Sequence, residues 1–169
     1  MVSGLRRAYF ELCYRPDSAK QIASVTRLVG DIFGEPIGEA DAISRVNLAV
    51  YEILENLGKY ATEEAPSLSM ELSEDGDAGL IQIKTRNRAS PESLALTARL
   101  LDSLIRAEDP SEAYRELMAR TAAQPEGSGL GFARIRAEAE LQLAFAITAG
   151  SLEITAFGRV PLQPKRVRS

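Results

Sequence analysis

The chain has 169 residues, 45% of them hydrophobic, which is enough to bury one core of ordinary single-domain size. Its formal charge is −4, so no general positive field favours nucleic acid or an anionic membrane, and the lone Cys13 excludes an internal disulfide. Histidine is absent, which removes Ser-His-Asp and Cys-His nucleophilic machinery and the usual zinc sites.

Residues 6–14 (RRAYFELCY) combine aromatic and apolar residues in partial alternation and read as a first strand that Pro16 ends. Ser18 and Gln21 match a capping box, and Ile22, Val25, Leu28, Val29, Ile32 and Phe33 supply a helical stripe expected to stop at Gly34 and Pro36. A second helix begins near Gly38 to Asp41 and should end just past Ala61. Its apolar stripe is Ile43, Val46, Val50, Ile53, Leu54, Leu57 and Ala61. Opposite it Glu52, Asn56 and Lys59 form a second stripe, which Ala49 and Arg45 extend towards the N-terminus. An amphipathic helix ordinarily turns such a face to solvent. Here the same face also offers a carboxylate, an amide and an ammonium together.

Ser67 to Leu72 and Leu80 to Lys84 read as a hairpin around the turn residues Ser73 to Gly79. Ser90 with Pro91, and Asp109 with Pro110, are two helix starts, the first helix running to Ala107 and the second to Ala122. The first should bury Leu94, Leu96, Ala98, Leu100, Leu101 and Leu104, and the second Tyr114, Leu117 and Met118. After a glycine-rich stretch, Phe132 to Glu140 reads as a helix, and Leu141 to Thr148 and Leu152 to Phe157 as strands around Gly150. The order β, α, α, β, β, α, α, α, β, β implies an α/β (α+β) fold, a two-layer sandwich with helices on one face of a mixed, mostly antiparallel sheet. Residues 1–160 form one expected domain. Residues 161–169, with Lys165, Arg166 and Arg168, are an expected flexible basic tail. No apolar run has membrane-spanning length, and charges interrupt the N-terminus where a signal peptide needs an apolar core. The expectation is a cytoplasmic protein with neither nucleic acid nor membrane as partner.

Gly127, Ser128, Gly129, Leu130 and Gly131 precede a helix, so backbone N–H groups there could close around phosphates. Alone, such a run is commonly a hinge, and it fits neither a P-loop nor a dinucleotide fingerprint. Together with the second helix it resembles the GHKL superfamily of ATP-binding domains, the Bergerat or histidine-kinase-like ATPase fold. EILENLGKY (52–60) is similar to the N-box, and GSGLGF (127–132) to the second glycine box. The resemblance covers most of the chain and is nearest to stand-alone anti-sigma serine kinases, including bacterial regulators of the SiaB type. It implies ATP and Mg²⁺ as ligands, with Asn56 on the metal, Glu52 as catalytic base towards an attacking hydroxyl, and Lys59 near the phosphates. It also implies that Gly127, Ser128, Gly129, Leu130 and Gly131 line the phosphate loop.

The superfamily's first glycine box, D-x-G-x-G after the third strand, has no counterpart in IQIKTRNRASPE (81–92), where Asn87 occupies the place of the adenine-reading Asp. The similar run Asp75 to Gly79 lies in the hairpin turn instead. Asn87 can still accept from an adenine amino group, but as an amide it also donates. The resemblance thus implies a regulatory protein acting in bacterial signalling, possible as an ATP-dependent serine/threonine kinase. Its partner would be an anti-anti-sigma (STAS-like) or sigma-factor-like protein, and a homodimer is possible. The alternative is a degenerate GHKL fold that serves as an interaction module without nucleotide.

Overall fold

The computed structural model describes residues 6–13, 18–60, 66–122 and 129–163. Ten elements follow one another in the expected order: β1 (Arg6–Cys13), α1 (Ala19–Ile37), α2 (Ala40–Tyr60), β2 (Ser67–Asp75), β3 (Ala78–Arg88), α3 (Pro91–Arg106), α4 (Pro110–Thr121), α5 (Leu130–Ala137), β4 (Gln142–Thr148) and β5 (Ser151–Pro161). The strands form one sheet in the order β1-β2-β3-β5-β4, and every pairing in it is antiparallel.

Alternation decides which face of this sheet is covered. Leu68, Met70 and Leu72 of β2, Ile81 and Ile83 of β3, and Leu152, Ile154 and Ala156 of β5 are buried beneath the helices. The opposite face is polar, with Lys84 and Glu153 paired across β3 and β5 at 3.3 Å. This is the two-layer arrangement that the element order implied. In the helical layer α1 lies against α2 and β1, α2 against β3, β5 and α5, α3 against β4, and α4 against α5.

Ser18 caps α1 by accepting from the Gln21 N–H at 3.4 Å. The helix then continues through Gly34 and Pro36, where the sequence suggested a stop, and ends at Gly38. Phe33 and Ile37 are each 1% exposed, so burial of the last turn outweighs the hydrogen bond that Pro36 cannot donate. Gly38 closes the helix in the left-handed region at φ 72°, its N–H donating to Gly34 O at 2.8 Å. The hairpin is also longer than the apolar pattern suggested. Thr85 and Asn87 occupy inward positions opposite Ile154 and Leu152, so ladder pairing carries β3 on to Arg88.

Ser90 and Asp109 cap α3 and α4 as expected, Asp109 Oδ1 accepting from the N–H groups of Ser111 at 2.8 Å and Glu112 at 3.0 Å. Helix α5 starts earlier and ends sooner than its apolar pattern, because Gly129 at φ 72° can turn the chain directly into Leu130. Three residues assigned to apolar stripes lie outside the core: Leu28 is 48% exposed, Leu96 60% and Met118 38%. Each sits on a helix whose buried face is narrower than its run of apolar residues.

Candidate functional site

Helix α2 is covered on both of its faces. Val46, Val50, Ile53, Leu54 and Leu57 enter the main core, while Ile43 is half-buried. The middle of the polar stripe is covered as well, since α5 lies along it. Arg45 pairs with Glu140 at 3.4 Å, Ala49 is fully buried, and Glu52, only 5% exposed, holds Arg134 of α5 at 2.5 Å. Arg134 also holds Glu138, one turn along its own helix, at 2.9 Å from Nη2 and 3.1 Å from Nε.

Glycine makes this approach of α5 possible. A Cβ on Gly131 would lie 2.7 Å from Glu52 Oε2 and 3.3 Å from Asn56 Nδ2, so only a residue without a side chain fits there. Beneath that contact Asn56 Nδ2 is buried, and no hydrogen-bond partner serves it among the described residues. A buried amide donor without a partner is costly, and it marks a place where an acceptor is missing.

Asn56 opens onto a cleft lined also by Ile53, Leu57, Thr85, Asn87, Ser93, Thr97 and Phe132. Asn87 is 8% exposed and Thr85 3%. The walls come from α2, the inward rows of β3 and β5, α3 and the start of α5. The cleft measures about 410 Å³ when the solvent at its mouth is counted, but the space in it open to the centre of a water molecule is only about 20 Å³. That is room for about one water molecule, whereas cofactor pockets run to roughly 300–1,000 Å³. Ser93 and Thr97 of α3 form its cover.

Of the sequence-derived site residues, Glu52, Asn56 and Gly131 are in mutual contact, and Asn87 shares the Asn56 cleft. Gly129 and Leu130 start α5 beside them, with Gly129 against Leu100 of α3. Gly127, Ser128 and the side chain of Lys59 lie outside the described residues. So do Ala61 and most of the basic tail. Asp75 and Gly76 belong to the β2–β3 turn, where Asp75 pairs with Arg159 at 2.6 Å.

The fold itself has a solved relative. A chain of the crystal structure of the SiaB–SiaC complex from Pseudomonas aeruginosa matches this one with a TM-score of 0.58 and 14% sequence identity, over 92% of this chain and 91% of that one. This chain shares that fold. No protein-family model matches the sequence, and no curated protein matches it. At such low identity the SiaB–SiaC likeness carries the architecture, while the roles of individual residues rest on local geometry.

Several residues at the site carried little signal in the sequence. Arg134 and Glu138 stand four apart on one helix, and nothing in that spacing shows that the fold brings Arg134 to Glu52. Tyr114 of α4 joins them. Burial, and then the charge of Glu138, push its phenol above the ordinary tyrosine value. Thr85 was findable, because it continues the inward alternation of Ile81 and Ile83 as a polar residue. Among the described residues no group of three Asp, Glu, Cys or His side chains could hold a metal, and no helix is long and apolar enough to cross a membrane.

Proposed function

We propose that this chain is a cytoplasmic signalling regulator that acts through a protein partner, and that the cleft between α2, β3 and α3 is its site for Mg²⁺ and ATP. The observation that carries this reading is the meeting of Asn56 and Asn87 in one cleft, next to the glycine-led start of α5. Shared fold with a chain from an assembly of two proteins, SiaB and SiaC, supports the partner.

The donor set suits a phosphate closely. The orphaned Asn56 Nδ2 calls for an acceptor such as a phosphate oxygen, and the missing Cβ of Gly131 keeps the backbone of α5 close to it. In the opposite assignment of the amide, Asn56 would instead hold Mg²⁺ through its oxygen, the remaining ligands of that ion commonly being phosphates and water. Asn87 and Thr85 provide polar groups for a base. Bound Mg²⁺–ATP would supply a transferable phosphoryl group. Glu52 would take the proton of a Ser or Thr hydroxyl on an anti-anti-sigma (STAS-like) partner, after Arg134 swings fully onto Glu138. The resemblance would also bring Lys59, Gly127 and Ser128 to the phosphates; Gly127, Ser128 and the side chain of Lys59 lie outside the described residues.

A second reading has its own observation. The small free space of the cleft, about 20 Å³, and the occupied Glu52 carboxylate suit an interaction module that takes no nucleotide. Thermal unfolding with Mg²⁺–ATP separates the two. Ligand at a hundred times its Kd adds about 2.7 kcal/mol, a rise of several degrees at this size. A flat response at millimolar nucleotide leaves the interaction module. Where nucleotide binds, Glu52→Gln should keep the shift and lose phosphoryl transfer to the partner.

A further inference from the structure

The two edges of the sheet are built differently. At one edge β1 carries Arg7, tied to Glu74 at 2.6 Å, and Glu11, and its register against β2 shifts between Arg6 and Ala8. Charges and irregular pairing of this kind keep an edge strand from joining another. At the other edge β4 reads QLAFAIT, with no charge, no proline and an unbroken register of seven pairs against β5. Gln142, Ala144, Ala146 and Thr148 are exposed, and Ile147 is 43% exposed. Among the described residues, β4 itself carries no charge, proline or bulge that would protect its edge.

The strand is also a palindrome in chemical character about Phe145. Outward from that residue come Ala144 and Ala146, then Leu143 and Ile147, then Gln142 and Thr148. An antiparallel pair of identical strands, related by a two-fold axis at Phe145, would set each of these residues opposite its counterpart in kind. We infer that β4 joins two copies of this chain, continuing the sheet from one copy into the other about Phe145.

In this register Ile147 of each copy faces Leu143 of the other on the helix side, which covers an aliphatic side chain now half in water. Alanines meet on the open side, where small side chains let the strands close. No charged residue opposes another: Glu140, the nearest acidic residue before the strand, falls opposite Gly150 in the turn. An unrelated partner strand would gain nothing from the palindrome, and this favours a second copy as the occupant. The inference does not depend on whether nucleotide binds in the cleft.

Sedimentation equilibrium of the full chain tests it. The wild type should dimerise reversibly. Ala144→Lys combined with Ala146→Lys sets lysine against lysine on both sides of the axis, and should weaken the dimer at least about tenfold. Ala144→Glu combined with Ala146→Lys sets opposite charges across the same axis and should restore it. Both positions are exposed, so matching circular dichroism melts should show the fold intact in each variant. A wild type that stays monomeric at every concentration overturns the inference, even if it captures some other protein. A dimer indifferent to the paired lysines overturns it too, as does failure of the Glu/Lys combination to recover association.

Discussion

Arg134 Nη1 donates to Glu52 Oε1 at 2.5 Å across the α2–α5 contact, joining a carboxylate side chain that is 7% exposed to a guanidinium that is 36% exposed. The asymmetry of exposure makes the two partners unequal. Arg134 retains Glu138 and solvent if Glu52 loses its charge, whereas Glu52 is the more deeply buried partner and loses this ion pair when Arg134 is removed. Arg134→Ala should therefore cost about 1–3 kcal/mol of stability. Glu52→Gln, which keeps an acceptor oxygen in place, should cost less than about 1 kcal/mol. Urea denaturation of the two variants checks the order, and equal losses would contradict it.

That pair also shows how far the sequence could be read. Element order and the sheet-with-helices architecture follow from local signals: the Ser18, Ser90 and Asp109 caps, the Gly76 and Gly150 turns, and apolar periodicity. Asn56 stands out from its place on the polar stripe of α2, and Asn87 only from the resemblance. The fate of the polar face of α2 could not, because nothing local shows that α5 returns to lie on it. The covering of the cleft by Ser93 and Thr97 is hidden for the same reason, since a capped helix carries no mark of what it packs over. Leu96 and Leu28 show the opposite error, where hydrophobicity alone overstates burial.

Tyr114 supplies a pH dependence. Its folded pKa lies above the ordinary 10.0, chiefly through burial and then through Glu138. A raised folded value means the contribution is complete below the unfolded pKa and is lost as pH rises through the folded one. As pH rises above the ordinary 10.0, the denaturation midpoint should fall more steeply in the wild type than in Tyr114→Phe. In ultraviolet titration of the five tyrosines, a late-ionising phenol should disappear in that variant. Identical alkaline slopes would show that another group governs this range.

Gly131→Ala inverts a familiar rule. Inside a helix alanine normally improves on glycine by about 0.5–1 kcal/mol. At Gly131 the added methyl would come within 2.7 Å of Glu52 Oε2 and 3.3 Å of Asn56 Nδ2. Either α5 lifts from α2, or Glu52 moves and strains its bond to Arg134. The expected outcome is a net loss of about 1–3 kcal/mol, read as a lower melting temperature. Combining it with Glu52→Ala should recover part of the loss, because the carboxylate that collides is gone. A more stable single variant would mean that the two helices do not meet as described.

Asn56→Leu separates stability from binding. The amide nitrogen of Asn56 is buried without a partner among the described residues, so it lowers stability while the cleft holds no acceptor. Leucine has a similar shape and no polar atom. The substitution should leave the protein unchanged or stabilise it by up to about 1 kcal/mol. The same change removes both the phosphate donor and the metal-facing oxygen of the proposed site, so any melting-temperature rise with Mg²⁺–ATP should vanish. A group kept for packing would give the opposite pattern, with stability falling and ligand response intact. Measuring both melts on one variant therefore distinguishes an amide retained for a ligand from one retained for the fold.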